Sequence, residues 1–296
     1  MIVHFAGLGS MGLGMAASLA RAGHEVHGTD PRAPRVDLLR DGGGHELEPA
    51  SPEADALVSA VLNADQTRAV LFGADGLAAR LRLGGVILSC ATVPPDFAAE
   101  MEAETSARGL LYLDAPISGG AAKAAEGRLS IMASGAPEAF EAAAPVLDAM
   151  AETVHRLGDR AGAGSAMKAV NQLLAGVNIA AMGEALAFAA SQGLDLARVL
   201  EVIRVSAGTS WMFENRAPHV IEADYAPRSS VDIWPKDLGI VTEIAAQTGL
   251  PLAVTEAALE SFRAASASGL GAEDDAAVTK HIAAKGGVRL PGGGDA

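Results

Sequence analysis

A glycine-rich segment near the N-terminus is the feature that most constrains the fold. The segment FAGLGSMG contains Gly7, Gly9 and Gly12 with the spacing G-x-G-x-x-G. The residues MIVHFA before it have the composition of a strand. Residues 10–22 have apolar positions at helical spacing, which predicts a helix. The segment HEVHGTD then has the composition of a second strand, which ends at Asp30. This order of strand, glycine turn, helix and strand predicts a βαβ unit in a parallel sheet.

The three glycines have distinct roles in a turn of this kind. Gly7 permits the sharp bend after the strand, the missing side chain at Gly9 lets backbone N–H groups approach a pyrophosphate, and Gly12 lets the helix lie close to the strand. The helix N-terminus adds partial positive charge. The alternative is a strand-to-helix turn that holds no ligand. The predicted cofactor contacts are Gly7, Leu8, Gly9, Ser10, Met11 and Gly12.

The acidic residue at the end of the second strand bears on which dinucleotide is bound. At the position of Asp30, a carboxylate accepts hydrogen bonds from the adenosine ribose and repels a 2′-phosphate, which favours NAD. Arg32 follows closely and could instead bind that phosphate. NAD is therefore the preferred cofactor, and NADP stays open.

Strand-length apolar runs continue through the first half of the chain and alternate with helical patterns. They are ALVSAVL, GVILSC, LLYLDAP and LSIMAS, and such alternation predicts a doubly wound parallel sheet. After the segment GDRAGAGS near residue 160, strand patterns almost vanish. We predict an α/β fold with a Rossmann-type dinucleotide-binding domain over 1–160, an all-helical domain over 161–285 and a disordered tail over 286–296.

Charge and composition exclude several classes of protein. The formal net charge is −14, so most of the surface would repel nucleic acid and we expect no such partner. No run reaches ~18 uncharged apolar residues, and no basic segment precedes an apolar one at the N-terminus. The one cysteine, Cys90, suits a reducing cytoplasm, and the histidines lack metal-ligand spacing. We expect a cytoplasmic protein with no metal ion and no membrane partner.

Four motifs, in order along about the first 285 residues, are similar to those of the β-hydroxyacid dehydrogenase family. GLGSMGLGMA (7–16) matches its cofactor loop, DAPISGG (114–120) its substrate loop, GSAMKAVNQ (164–172) its catalytic helix, and KDL (236–238) its K-D-L motif. The resemblance implies hydride transfer between NAD(P) and a short hydroxy acid. It also implies a homodimer or homotetramer formed through the helical domain.

Within this family the chain most resembles the L-threonate dehydrogenase branch. The similar segments are VLNADQTRAVLFG, NQLLAGVNIA, GTSWMFENR and EDDAAV. The branch implies oxidation of a secondary hydroxyl to a keto acid. Other family substrates, namely 3-hydroxyisobutyrate and tartronate or succinic semialdehyde, stay open. More distant alternatives are an imine reductase, in which another group normally replaces the motif's lysine, and a non-catalytic nucleotide-sensing module.

Lys168 is the catalytic residue that the resemblance implies. The reaction needs a group that takes the hydroxyl proton while hydride leaves the same carbon for the nicotinamide. A neutral lysine would act as a general base, whereas a charged lysine would stabilise the developing alkoxide. Both roles stay open. The alternative for the segment AMKAV alone is a helix lysine whose stem lies along an apolar surface.

The implied substrate-binding residues come from the same motifs. Ser118, Gly119 and Gly120 offer a hydroxyl and backbone N–H groups to the carboxylate or a hydroxyl of the substrate. Asn171 and Gln172 lie three and four residues past the lysine, so one helix face presents them beside it. Family members usually carry two asparagines here, and we expect the longer glutamine to reach a hydroxyl of a polyol acid.

Four further residues are implied at the cofactor. Leu62 and Asn63 follow the strand ALVSAVL, where the family's backbone brackets the adenosine side. Thr92 follows GVILSC on the nicotinamide side, and Lys236 would close over the nicotinamide end. The structural alternative for this lysine is an ion pair with a neighbouring aspartate.

Overall fold

The chain divides into two compact units, Met1–Lys168 and Ala169–Ala296. A computed structural model describes residues 1–292. The division falls inside one continuous helix, Ala163–Ser191, rather than at residue 160. Of the predicted tail, residues 293–296 lie outside the described residues. The part before them has no helix or strand, and its Leu290 packs against the core of the second unit.

The first unit contains a six-stranded sheet. Its strands are β1 (Ile2–Ala6), β2 (Glu25–Thr29), β3 (His45–Glu46), β4 (Ala54–Ser59), β5 (Leu81–Ser89) and β6 (Leu111–Asp114). The order is β3-β2-β1-β4-β5-β6, and every pairing is parallel. This confirms the predicted doubly wound sheet. The strand order reverses between β1 and β4, and such sheets bind ligands beyond the carboxyl ends of the strands at this point.

Six helices and a small second sheet complete the first unit. The helices are α1 (Gly12–Arg21), α2 (Ala33–Asp41), α3 (Ala64–Phe72), α4 (Pro95–Ser106), α5 (Gly120–Glu126) and α6 (Pro137–Met150). The second sheet contains β7 (Ile117–Ser118), β8 (Leu129–Ala133) and β9 (Ala151–Arg156). The strands of the large sheet read as apolar runs because both of its faces are covered, so that Val3, Phe5 and Val58 are fully buried.

Three histidines lie side by side on adjacent strands. His4 pairs in register with His27, and His27 with His45, with ring centroids 6.1 and 5.2 Å apart. His4 is fully buried, and its Nε2 donates to the carbonyl oxygen of Pro52 at 3.0 Å. Burial lowers the pKa of His4 to about 4. The imidazole is therefore neutral in the folded chain at ordinary pH.

The cysteine of the chain follows the last residue of β5. Cys90 is 5% exposed, and its N–H donates to the Ser59 carbonyl at 2.8 Å. Burial raises the pKa of its thiol to about 12. The thiol is therefore protonated and shielded in the folded protein.

The second unit is helical, as predicted. Its helices are the main part of α7 (Ala163–Ser191), then α8 (Leu196–Ile203), α9 (Trp211–Ile221), α10 (Ile233–Thr248), α11 (Ala253–Ala265) and α12 (Val278–Lys285). The rings of Trp234 and Phe262 stack at 5.5 Å in its core, beside the buried Phe213. The helix α7 is long and apolar enough to cross a membrane, with a mean hydropathy of 1.6 over an 18-residue window, but core helices of soluble proteins meet the same criterion.

Two adjacent buried aspartates anchor this unit. Asp274 accepts from Nδ1 of His219 at 2.8 Å, and Asp275 accepts from Nε of Arg216 at 2.6 Å and from Nε1 of Trp234 at 3.1 Å. Buried carboxylates need such partners, since an unpaired charge in the core is strongly destabilising. The segment EDDAAV therefore has a structural role in joining α9 and α10.

Candidate active site

The glycine turn has the close backbone packing that the sequence predicts. Gly7 has φ +91°, and a Cβ there would lie 2.7 Å from the carbonyl oxygen of Ala60. A Cβ at Gly12 would collide with the Gly7 carbonyl oxygen. At Gly9, by contrast, the nearest atom to an added Cβ is Nη2 of Arg32 at 4.0 Å. Two glycines are thus required by packing, and the third keeps one face of the turn open.

The N-terminus of α1 has the features of an anion site. Its first turn contains no acidic residue, and the side chain of its capping residue, Met11, makes no capping bond. In α3, by contrast, Oδ1 of Asn63 accepts from the N–H of Gln66 at 2.9 Å. The N–H groups at the start of α1 can therefore serve a ligand, and together with the open face at Gly9 they fit the pyrophosphate of a dinucleotide.

Asp30 lies beside this turn, as the sequence predicts. Its Oδ2 accepts from the N–H of Leu8 at 2.9 Å, and its Oδ1 accepts from the backbone N–H and Nε of Arg32, both at 3.0 Å. Burial opposes ionisation, but these hydrogen bonds outweigh it and hold the pKa of Asp30 below its ordinary value. The carboxylate side chain is 4% exposed and that of Arg32 is 65% exposed, so the cation covers the carboxylate from the solvent side.

The other cofactor residues predicted in the first unit follow the carboxyl ends of β4 and β5. Leu62 is half exposed, and its N–H donates to Oε1 of Gln66 at 3.0 Å. The carboxamide of Asn63 caps α3, so this residue offers a ligand its backbone rather than its side-chain oxygen. Thr92 is partly exposed just after Cys90 and Ala91. All of these lie at the edge of the sheet that carries the glycine turn, because the strands are parallel.

Asp114 is a site residue whose role the sequence did not reveal. It ends β6, is 1% exposed, and accepts from the N–H of Gly162 at 3.0 Å and from the N–H and Oγ of Ser165 at 2.8 and 2.7 Å. Ser134 Oγ donates to it at 3.3 Å. Burial raises the pKa of Asp114, although these donors favour its charged form. The carboxyl group thereby fixes the first turn of α7, and with it the helix that carries Lys168.

Lys168 lies against the predicted substrate loop. Its side chain is buried, with 8% of the residue exposed, and Nζ donates to the carbonyl oxygen of Ile117 at 2.7 Å. Ser118 is the next residue, and the two following glycines have φ values of +140° and +79°. The lysine head is therefore held beside a turn that carries a hydroxyl and backbone N–H groups. A buried lysine next to such donors can take or hold a proton where an oxygen of a bound acid reacts.

In the second unit, the predicted residues form a chain of side-chain bonds. Nδ2 of Asn171 donates to Oε1 of Gln172 at 2.9 Å, and Nε2 of Gln172 donates to Oδ2 of Asp237 at 2.5 Å. Oδ1 of Asp237 is paired with Nζ of Lys236 at 2.5 Å. Because a carboxylate only accepts, it fixes the direction of both amides. Both ends of Gln172 are thus engaged within the protein, and Lys236 makes the ion pair that was the structural alternative.

Within residues 1–292, no group of three or more His, Cys, Asp or Glu side chains is arranged to hold a metal ion.

The arrangement in the first unit, with a dinucleotide turn and a buried lysine beside a serine–glycine loop, defines an NAD(P)-dependent dehydrogenase of hydroxyl groups.

Comparison with known proteins identifies the family. Residues 2–158 match the family described as the NAD binding domain of 6-phosphogluconate dehydrogenase, and residues 162–282 match the NAD-binding family of NADP-dependent 3-hydroxyisobutyrate dehydrogenase. The L-threonate dehydrogenase of Cupriavidus necator is 48% identical over 97% of this chain and 96% of its own length. The L-threonate dehydrogenase of Escherichia coli (strain K12) is 44% identical over 98% of this chain and 96% of its own.

A solved structure agrees with these matches. The crystal structure described as 3-hydroxyisobutyrate dehydrogenase from Salmonella typhimurium has a TM-score of 0.88 and 46% identity, and covers 95% of this chain and 99% of that one. The chain belongs to the β-hydroxyacid dehydrogenase family. It is an NAD(P)-dependent hydroxyacid dehydrogenase.

Proposed function

We propose that this enzyme oxidises L-threonate to the corresponding keto acid, with Lys168 as the catalytic residue and NAD as the preferred cofactor. The observation that carries the proposal is the position of Lys168, buried and bonded to Ile117 beside Ser118. The substrate is inferred from the relatives in Cupriavidus and Escherichia, which bear that name at 44–48% identity over nearly the whole chain.

Each residue of the site is assigned one role in the proposed reaction. Bound NAD supplies the hydride acceptor. Ser118 and the N–H groups of Gly119 and Gly120 bind the carboxylate of the acid, and Asn171 binds a hydroxyl. Lys168 takes the proton of the reacting hydroxyl as hydride leaves the same carbon, so the products are the keto acid, NADH and one proton. If the lysine remains charged, it stabilises the alkoxide instead.

The preference for NAD is inferred from Asp30. Its carboxylate is ionised and lies against the glycine turn, where it would accept from ribose hydroxyls and repel a 2′-phosphate. Arg32 is the residue that would accommodate NADP, and it is already paired with Asp30. We expect a lower KM for NAD than for NADP, and we place the enzyme in the cytoplasm because a chain with one cysteine does not rely on disulfides.

We infer that two or four copies assemble through the helical unit. In that unit, α7, α8 and the turn before α9 enclose an apolar groove of about 680 Å³. Phe188 is 68% exposed and Val202 59% exposed along it. Large exposed apolar patches of this kind mark interaction surfaces, and a second copy presents the same surface. Light scattering should show that Phe188→Glu lowers the assembled mass, whereas the matched control Leu83→Glu, on an exposed leucine of the first unit, leaves it unchanged.

The central experiment is the initial rate of NADH formation with L-threonate, 3-hydroxyisobutyrate and glycerate. We expect the highest kcat/KM on L-threonate and a loss of ~10²-fold or more in Lys168→Ala. The matched control is Lys123→Ala, because that lysine is exposed and lies 3.5 Å from Glu152.

Each alternative has its own result. A preference for 3-hydroxyisobutyrate, the substrate in the name of the Salmonella structure, would replace the proposed substrate and keep the role of Lys168. Equal rates for Lys168→Ala and Lys123→Ala would refute that role. Fast reduction of tartronate or succinic semialdehyde, with no oxidation of L-threonate, would indicate a reductase.

A further inference from the structure

An arginine on α2, Arg35, donates hydrogen bonds to two carbonyl oxygens of the glycine turn. Nε of Arg35 donates to the carbonyl oxygen of Leu8 at 2.5 Å, and its Nη2 donates to the carbonyl oxygen of Gly9 at 2.6 Å. The Leu8 N–H donates to Asp30, and the Gly7 N–H donates to the Thr29 carbonyl at 2.9 Å. Four successive peptide groups of the turn, from Ala6–Gly7 to Gly9–Ser10, are thereby oriented by defined partners.

The two bonds from Arg35 fix where the N–H groups of the turn point. A peptide group is planar and trans, so its N–H points away from its carbonyl. With the Leu8 and Gly9 carbonyls turned toward Arg35, the N–H groups of Gly9 and Ser10 face the opposite side. Within residues 1–292 neither N–H donates to a protein acceptor. These are the groups that a pyrophosphate would use.

The charge of Arg35 is not neutralised by a neighbouring acid. Arg32 is paired with Asp30, and Arg40 is paired with Asp37 and Glu46. In the part of the chain that the structure describes, no carboxylate lies within ion-pair distance of Arg35, whose contacts are the two carbonyls. Its positive charge is therefore available to attract a phosphate group at the turn.

The choice of arginine follows from geometry. Two carbonyl oxygens of consecutive residues must be bonded at once, and the guanidinium presents two N–H groups in a rigid planar fork. Lysine keeps the charge but has a single nitrogen. Arg35 also lies in the first turn of α2, which starts at Ala33 directly after the strand and loop that carry Asp30. The turn and both of its anchors therefore lie within the first 35 residues of the chain, between β1 and the first turn of α2.

We propose that Arg35 is a positioning residue for the dinucleotide: it orients the N–H groups of Gly9 and Ser10 toward the pyrophosphate and adds an unpaired positive charge beside them. This rests on dinucleotide binding at the turn and is independent of which hydroxy acid is oxidised. Arg35 acts through the loop backbone.

The test is the dissociation constant of NADH, measured by its fluorescence on binding to the full-length enzyme. Arg35→Ala removes two charge-assisted hydrogen bonds that orient the turn, and this loss should raise the dissociation constant of NADH by roughly 10- to 100-fold. Arg35→Lys, which keeps the charge and loses the fork, should lie between Arg35→Ala and wild type. The matched control, Arg40→Ala, removes an exposed arginine of the same helix and should stay within about twofold of wild type.

Two further measurements separate positioning from general damage. At saturating cofactor, the KM for the hydroxy acid in Arg35→Ala should match wild type, because the substrate loop is untouched. Millimolar guanidinium ion should tighten NADH binding to Arg35→Ala and leave wild type unchanged. An unchanged NADH dissociation constant in Arg35→Ala, or equal weakening in Arg40→Ala, would overturn the proposal. Absence of L-threonate turnover with normal NADH binding would count against the substrate alone.

Discussion

The buried imidazole of His4 should make the first unit sensitive to mild acid. In the folded chain, burial lowers the pKa of His4 from 6.5 to about 4, and the nearby charge of Arg80 and the ring of His27 act in the same direction. The hydrogen bond to the Pro52 carbonyl opposes this lowering and is outweighed. The unfolded chain takes up a proton on this residue below pH 6.5, whereas the folded chain does so only near pH 4. Stability is therefore full above pH 6.5 and falls as the pH drops toward 4.

The size of the effect follows from the two pKa values. A difference between 6.5 and about 4, at about 1.4 kcal/mol per unit, gives about 3 kcal/mol over the whole titration. Of this, about 2 kcal/mol should be lost between pH 7 and pH 5. That is a large fraction of the free energy of unfolding of a typical domain.

The assay is urea unfolding followed by circular dichroism at several pH values, for wild type and His4→Gln. Glutamine can still donate to Pro52 and does not titrate, so its free energy of unfolding should lose about 2 kcal/mol less between pH 7 and pH 5. His155→Gln, on an exposed histidine of β9, is the control and should follow wild type. Parallel curves for wild type and His4→Gln would refute the reasoning.

Three other substitutions test the site. Gly12→Ala should abolish NADH binding and lower the melting temperature, because its Cβ would collide with the Gly7 carbonyl oxygen. The control is Gly239→Ala on α10, where an added Cβ meets open space, and it should stabilise the protein by up to about 1 kcal/mol. Asp114→Asn should destabilise by about 1–3 kcal/mol and lower kcat while the KM for NAD stays unchanged, because α7 loses its charged anchor. Gln172→Asn should raise the KM for the hydroxy acid by roughly 5- to 10-fold, since the shorter amide cannot reach Asp237.

Each of these three predictions has a result that would contradict it. Tight NADH binding by Gly12→Ala would show that the turn tolerates a side chain. An unchanged kcat in Asp114→Asn would show that other contacts suffice to place the helix. A fall in kcat without a change in KM for Gln172→Asn would show that the amide chain acts on the reacting groups rather than on substrate binding.

The large sheet was predictable, apart from β3, because its strands contain short apolar runs between turn residues; β3 consists of the exposed His45 and Glu46 and has no such run. The placement of Gly7, Gly12 and Asp30 follows from their spacing along β1, α1 and β2, whereas the contact of Gly7 with Ala60 comes from the neighbouring strand β4 and is not visible in that spacing. β9 was missed because AETVHR is half exposed and lacks a buried stripe, and β7 contains only two residues. Such strands are defined by their partners rather than by their own composition.

The site contacts that the sequence does not reveal join residues that are distant in sequence. Asp114 receives its main bonds from residues 48 and 51 positions away, and Gln172 reaches Asp237 across 65 positions. A motif shows that such a residue is present but not which atoms it bonds. Asp237, which holds the carboxamide of Gln172, lies outside the motif that contains Gln172. Arg35 gave no signal in the sequence because its partners are carbonyl oxygens, which every residue possesses.

The rate at which the single buried thiol reacts with a reagent reports how often the end of β5 opens locally. Cys90 follows β5, two residues before Thr92, and cannot react with a thiol reagent while its strand end is closed. The rate of thiol labelling is therefore set by the frequency of local unfolding at this edge of the sheet. A dinucleotide that bridges the same edge would suppress those excursions, so the labelling rate would report occupancy of the site without any substrate being turned over.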